Sequence, residues 1–201
     1  MSKLELTKLP IKNAKINDKQ VENIFNMFKL DQTASITAKE LNISRQTVNS
    51  YYKVIRKSLV SEFDKRNSYK LQKIFYEKTF LVKYLKISGR YLFYIENQNT
   101  FLFLDNINIS HNLKLFLEEE LIKSLINHKK ANSAKVIFNP STNKYTIINF
   151  LKLDDKLNLF IHHRLKKFRG INKDNLDTHI KESIFRFNYN HTSILKQAPF
   201  S

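Results

Sequence analysis

The apolar positions of the first 66 residues recur with the period of an α-helix. They predict three helices, over residues 18–30, 34–41 and about 45–63. A tight turn at 42–44 separates the last two helices, and in it Ile43 can fill the gap between them while Ser44 caps the third helix. A short helix, a tight turn and a second helix opened by serine are typical of a helix-turn-helix motif.

The exposed face of the third predicted helix carries side chains that can read the edges of DNA bases. Arg pairs with guanine, Gln and Asn pair with adenine, and Thr offers both a methyl group and a hydroxyl. We therefore predict that the start of this helix contacts DNA through Ser44, Arg45, Gln46, Thr47, Asn49, Ser50 and Lys53. An ordinary helical hairpin with a solvated polar face is the alternative interpretation.

Beyond residue 66 the pattern stays helical for a short stretch and then changes its period. A linker helix is predicted over 67–80, and short β-branched and aromatic runs follow it, with a turn at Ser88 and Gly89. The remaining elements are predicted in the order strands 82–88, 90–96 and 100–107, helix 111–130, strands 135–138 and 145–151, and helix 154–167.

This order of elements is that of a ribonuclease H-like core, in which a fourth strand joins three antiparallel strands after a crossover helix. We therefore expect an α+β or α/β protein with an all-helical helix-turn-helix domain (1–66), the linker helix (67–80) and a small mixed sheet with helices (81–201). A core of this kind normally holds two metal ions between acidic side chains.

Composition narrows the chemistry that is open to the chain. Its 201 residues include no Cys, which excludes a disulfide scaffold, a zinc ribbon and a thiol nucleophile, and only two Gly, too few for a glycine-rich phosphate loop. The 35 Lys and Arg against 18 Asp and Glu give a net charge of +17, so a polyanion is the leading partner. Codon usage in an AT-rich genome is an alternative source of part of the lysine excess.

No apolar run approaches the length of a membrane helix, and the N-terminus lacks the apolar core of a signal peptide. We expect a soluble, cytoplasmic protein associated with the nucleoid, with no cofactor, no metal and no membrane partner. Double-stranded DNA is the expected partner, and a homodimer is considered as its assembly. RNA stays open as well, because a basic surface does not by itself select the sugar.

Two motifs near the C-terminus carry a family resemblance. Residues 164–171 read Arg-Leu-Lys-Lys-Phe-Arg-Gly-Ile, and residues 179–188 read His-Ile-Lys-Glu-Ser-Ile-Phe-Arg-Phe-Asn. Together they resemble the C-terminal signature of the ISXO-like insertion-sequence transposases, which are DDE enzymes with a ribonuclease H-like fold. With the helix-turn-helix pattern, the resemblance extends in order over most of the chain.

The resemblance implies three catalytic acids, and it aligns them with Ser88, Asn139 and Asp155. Neither residues 82–94 nor residues 131–153 contain an Asp or Glu, so a shift of register restores neither of the first two acids. The resemblance therefore implies a transposase-derived, sequence-specific DNA-binding protein that is not an enzyme and has no catalytic residues. A transcriptional regulator or a protein that occupies a chromosomal site is the expected role.

The end of the helix over 154–167 is basic and predicts a second DNA-binding surface. Its candidate phosphate contacts are Arg164, Lys166, Lys167 and Arg169. Two other functions stay open. One is a metal-dependent transposase or nuclease with a relocated site at Asp105, Asp154 and Asp155, and the other is a non-catalytic partner in a nucleic-acid complex.

Overall fold

The computed structural model describes residues 16–76, 78–97, 100–105, 109–168 and 171–189. Within these residues the chain is a mixed α+β protein with a five-stranded sheet. Its elements are α1 (Asp18–Lys29), α2 (Ala34–Leu41), α3 (Arg45–Tyr76), β1 (Thr79–Ile87), β2 (Arg90–Asn97), β3 (Thr100–Leu104), α4 (His111–Leu115), a π-helical turn (Phe116–Leu121), α5 (Ile122–Asn127), β4 (Ser133–Asn139), β5 (Lys144–Leu151), α6 (Lys156–Lys167) and α7 (Lys173–Asn188). The predicted extension of the third strand to residue 107 lies partly outside the described residues.

The chain divides into two compact units, which differ from the predicted domains. The first, here called the helical unit, comprises the residues up to Phe63 together with those from Phe160 onward. The second, the sheet unit, runs from Asp64 to Leu159. The C-terminal helix α7 thus belongs with the N-terminal helices, whereas the sequence pattern had assigned it to the sheet domain.

Helix α3 is continuous over its whole length, so the separate linker helix predicted over 67–80 is not present. The pattern predicts the end of the third helix at about residue 63, but the polar run 64–69 that follows contains neither Gly nor Pro. Asn67 occupies a position on the buried stripe of the helix between Phe63 and Leu71. The side-chain amide of an Asn can therefore occupy the buried face of a helix when it forms hydrogen bonds. A pattern based on apolar residues alone would end the helix before such a position.

The sheet has the strand order β3-β2-β1-β4-β5, and every neighbouring pair is antiparallel. β1 and β2 are joined by a two-residue turn at Ser88 and Gly89, which have φ angles of 51° and 79°. Positive φ at both central residues is what a type I′ hairpin turn requires. The turn predicted at these two residues is confirmed.

The sequence predicts a mixed sheet, and this prediction is wrong, because β4 runs antiparallel to β1. In the register of the sheet, β3 ends at Leu104, level with Tyr84 of β1, and β4 begins at Ser133, opposite Lys83. The helical segment between β3 and β4 therefore leaves and re-enters the sheet at neighbouring positions near the middle of β1. For β4 to run parallel to β1, the segment would have to end near the start of β1. The helical periodicity of the sequence predicts this segment but not the position along β1 beside which the segment ends.

One face of the sheet forms the main core of the sheet unit against the segment α4 to α5. The segment contributes Leu113, Phe116, Leu117, Leu121 and Leu125, all of them buried. The strands contribute side chains of alternate positions, as expected for one face of a pleated sheet. These are Phe80, Val82, Phe93, Ile95, Leu102, Leu104, Ala134 and Val136.

The outer edge of the sheet at β3 is closed by the side chain of Asn67. Its amide nitrogen donates to the carbonyl oxygen of Phe103, and its amide oxygen accepts from the Phe103 N–H, both at 2.8 Å. An edge strand exposes unpaired N–H and C=O groups, and here one side chain of α3 satisfies a pair of them. None of the helices among the described residues is long and apolar enough to cross a membrane.

Replacing Asn67 with Ala should destabilise the protein by about 2–5 kcal/mol, because it leaves both backbone groups of Phe103 buried without a partner. The free energy of unfolding, measured by urea denaturation, checks this. Asn149→Ala on the exposed part of β5 is the matched control and should change stability by less than about 0.5 kcal/mol. Equal stability of the two variants would contradict the role given to Asn67.

Candidate nucleic-acid interface

The start of α3 is fixed by the turn that precedes it. Asn42 closes α2 in the left-handed conformation, with φ 52° and ψ 46°, and its N–H donates to the carbonyl of Ala38. The Ser44 hydroxyl accepts from the Thr47 N–H at 3.0 Å and lies 2.8 Å from the Thr47 hydroxyl. The predicted N-cap at Ser44 is confirmed, and both hydroxyls serve to hold the helix end.

Five of the predicted DNA-contacting residues line one shallow depression on the first turns of α3. They are Arg45, Gln46, Asn49, Ser50 and Lys53, and we call this surface the reading face. Their spacing of three and four residues places them on the same side of the helix. The Ser50 hydroxyl donates to the Gln46 carbonyl at 3.0 Å, so it is held against the helix backbone.

A deeper cleft of about 640 Å³ lies next to the reading face, within the helical unit. Arg45, Asn49 and Lys53 border both the cleft and the reading face. The cleft has one wall from α2 and α3 and another from the end of α6 and the start of α7. We call it the basic cleft, because its described lining includes Arg45, Lys53, Arg56, Lys57 and Lys167 and no described Asp or Glu.

Arg164 does not face outward as the sequence predicted, because it is only 1% exposed. Its guanidinium donates to Asp31 at 2.7 Å, to Glu182 at 2.6 Å and to the Ser183 hydroxyl at 2.8 Å. The prediction placed Arg164 with its basic neighbours, but it lies on the buried side of an amphipathic helix. Because each nitrogen of its guanidinium donates to a protein acceptor, Arg164 is not a DNA contact in this structure.

The other basic residues of this segment have different positions. Lys166 is exposed on α6 and does not line the basic cleft, whereas Lys167 lines the cleft and lies 3.4 Å from Asp31. Arg169 lies outside the described residues. Among the described residues of the predicted second surface, only Lys167 therefore lines the basic cleft beside residues of α3.

A network of buried charges, which the sequence pattern does not predict, joins four parts of the helical unit. Glu182, which is fully buried, accepts from Arg56 and Arg164 at 2.6 Å and from Arg186 at 2.8 Å. Arg186 also donates to the carbonyl of Phe28 at the end of α1. The only local signal is the spacing of Glu182 and Arg186, four residues apart on one helix.

The network controls the protonation of its acid. Burial alone would raise the pKa of Glu182, but the guanidinium groups of Arg164, Arg186 and Arg56 outweigh it and hold the pKa well below its usual range. The carboxylate is therefore charged at neutral pH. Its four lone-pair directions are shared among the arginines that surround it.

His179 lies beside this network and is neutral at pH 7. Burial lowers its pKa to about 4, and the positive charges of Arg56 and Arg164 act in the same direction. Its Nδ1 atom is buried and has no hydrogen-bond partner among the described residues. The imidazole ring contacts Phe168, with the ring centres 5.2 Å apart.

The three positions that the resemblance aligned with catalytic acids are not assembled in the sheet unit. Ser88 follows the end of β1, whereas Asn139 lies two positions beyond Ile137, which pairs with Thr79 at the start of β1. The length of β1 thus separates them by roughly 30 Å, far more than the ~4 Å between the ions of a two-metal site. Asn139 instead accepts from the Ser141 N–H in the β4–β5 turn.

Asp155 has a structural position at the start of α6. Its Oδ1 atom accepts from the Asn158 N–H at 3.0 Å, as an N-cap does, and from the Tyr94 hydroxyl at 2.5 Å. The neighbouring Asp154 contributes its backbone carbonyl, which accepts from the buried Lys83. Among the described residues no three His, Asp or Glu side chains converge as metal ligands would.

Comparisons of the chain with protein-family models, with curated proteins and with solved structures found no match. The candidate interface is therefore defined by its own geometry: a helix end with exposed Arg, Gln and Asn side chains, beside a cleft whose described lining is basic and includes no acid.

Replacing Glu182 with Gln should destabilise the protein by about 3–5 kcal/mol, because two buried guanidinium groups and the partly buried one of Arg56 lose their shared charge partner. Chemical denaturation at pH 7 measures the difference. Glu22→Gln, on the exposed side of α1, is the matched control and should stay within about 0.5 kcal/mol of the unchanged protein. A loss below about 1 kcal/mol for Glu182→Gln would show that the network does not hold the helices together.

The depressed pKa of His179 should make the protein less stable in acid. Below the pKa of about 6.5 in the unfolded chain, the unfolded state binds a proton that the folded state refuses until about pH 4. Stability from this residue is therefore complete above pH 6.5 and falls, by at most about 3 kcal/mol, as the pH drops to 4. Urea midpoints between pH 7 and 4 should fall less steeply for His179→Phe than for the unchanged protein. An unaltered slope in this variant, or an equal change for His162→Phe on the exposed side of α6, would assign the acid sensitivity elsewhere.

Proposed function

We propose that this chain is a sequence-specific DNA-binding protein that reads base edges with the reading face of α3. The observation that carries the proposal is the combination on one helix end of Arg45, Gln46 and Asn49, all exposed. The side chains of Arg45 and Asn49 can each make two hydrogen bonds to one base, to guanine and adenine respectively. In this proposal α2 and the start of α3 act as a helix-turn-helix.

The dimensions of α3 support this role. An α-helix with its side chains is about 10–12 Å across, and the major groove of B-DNA is about 12 Å wide. The stretch from Arg45 to Lys57 covers about 18 Å along the helix axis, so its first turns can lie in the groove while its later turns pass the backbone. The excess of positive charge supports fast and salt-dependent association with a polyanion.

The expected biological role is regulation of transcription or occupancy of a chromosomal site, without catalysis. We also propose that the chain descends from an ISXO-like transposase, on the strength of the signature at residues 164–188. The antiparallel direction of β4 departs from a ribonuclease H-like sheet, so the descent rests on the signature rather than on the sheet. The DNA-binding proposal does not depend on the descent.

Selection from a pool of random DNA duplexes should return a defined motif, and Arg45→Ala and Asn49→Ala should each relax it at one base position. The expected loss of discrimination is about 1–3 kcal/mol at that position. Asn26→Ala, an exposed asparagine of α1, is the matched control and should select the same motif as the unchanged protein. A selection that returns no motif, or a motif that both α3 variants leave intact, would refute the proposed reading face.

A further inference from the structure

We propose that the basic cleft holds the phosphodiester backbone of one DNA strand, so that α6 and α7 form a second wall of the DNA-binding site. This inference rests on the proposed function and extends it, because the pattern of a helix-turn-helix assigns no DNA contact to the C-terminal helices. It names Lys167 and Asn175 as residues that contact the strand.

Continuity with the reading face is the first reason. Arg45, Asn49 and Lys53 border the reading face on one side and the basic cleft on the other. A helix that fills the major groove is flanked by both backbones, because the groove is about as wide as the helix. A DNA strand that flanks α3 on the side of Arg45, Asn49 and Lys53 would therefore lie at the mouth of the basic cleft.

The charges of the cleft are the second reason. Arg45, Lys53 and Lys57 form no ion pair with a described residue, and the cleft lining offers no carboxylate to neutralise them. Arg56 is bound to Glu182, and so it contributes mainly as part of the wall. The side chain of Lys167 is 45% exposed, and Asp31, its neighbour, already receives the shorter hydrogen bond from Arg164.

The uncharged groups of the cleft suit a phosphate and sugar rather than a small apolar ligand. The first turn of α2 reaches the cleft at Ala34 and Ser35, where helix N–H groups have no helical acceptor. The opposite wall presents the polar side chains of Asn172, Asn175 and Thr178. Phosphate oxygens accept from groups of all these kinds.

The test compares the salt dependence of DNA binding in paired variants. Each phosphate neutralised by a cation adds about 0.9 to the slope of log K against log salt concentration. Lys167→Gln should lower this slope by about 0.9 and weaken every duplex alike, without altering the selected motif. Lys19→Gln removes the same charge from the exposed first turn of α1 and should leave the slope unchanged.

A neutral variant separates a direct contact from a general effect of charge. Asn175→Ala should weaken binding about threefold to tenfold with an unchanged slope, because it removes a hydrogen bond but no cation. Asn26→Ala is its control and should bind like the unchanged protein. Urea midpoints of all four variants, measured in the same buffer, verify that the fold is kept.

The outcomes distinguish the two proposals. If Lys167→Gln lowers the slope but no variant of α3 changes a motif, the backbone site stands and the reading of sequence fails. If the motif depends on Arg45 while Lys167→Gln and Lys19→Gln give equal slopes, the cleft proposal is overturned. It is also overturned if inorganic phosphate, at constant ionic strength, displaces the duplex from the unchanged protein but not from Lys167→Gln, since the cleft is then a site for small anions.

Discussion

The helical unit depends on one buried carboxylate, that of Glu182. It accepts hydrogen bonds from guanidinium groups on α3, α6 and its own helix α7, and the residues involved lie up to 126 positions away in the chain. Removing charges from water costs several kcal/mol per ion, and this cost is offset only when partners are close and hydrogen bonds complete. The network therefore stabilises only the arrangement in which all these helices meet, and it penalises any other.

This constraint gives the C-terminal signature a physical meaning that does not require catalysis. Arg164, His179, Glu182, Ser183 and Arg186 belong to the two motifs that carry the transposase resemblance, and the structure places all five in or beside the buried network. A sequence of this kind can be retained because it holds helices together, whatever happens to acids elsewhere. The signature and the absence of acids at Ser88 and Asn139 are then independent features of the chain.

Local features of the fold could be predicted from the sequence because their causes are local. The Ser44 cap depends on one hydroxyl and the N–H three residues later, and the turn at Ser88 and Gly89 depends on backbone angles that glycine adopts at little cost. Short runs of β-branched and aromatic side chains were likewise enough to find the five strands. None of these predictions required knowledge of a distant residue.

The features that the sequence did not predict each depend on a long-range partner. The sequence does not show Asn67 as a buried position of α3, because its partner, the backbone of Phe103, is 36 residues away. The direction of β4 depends on where the preceding helical segment crosses the sheet, which its amphipathic pattern does not encode. Arg164 and Lys167 look alike in sequence, but the pattern does not show that Arg164 pairs with both Asp31 and Glu182 when the chain is folded.

The division of the charged residues into buried ion pairs and exposed cations also helps to interpret the net charge of +17. Within the network, three arginines face two carboxylates, and in the sheet unit Lys83 is paired with Glu96 at 2.5 Å, so the buried charges described here nearly cancel. The surplus must therefore lie mainly elsewhere in the chain, where drift in codon usage would scatter lysines without regard to the acids around them. A cleft with five basic residues and no acid in its lining is a departure from such scattering. Arg56 and Lys167 have carboxylate partners in Glu182 and Asp31, so the repulsion is concentrated among Arg45, Lys53 and Lys57. A bound anion would relieve it, and the proposed polyanionic partner therefore rests on this local arrangement more than on the total charge.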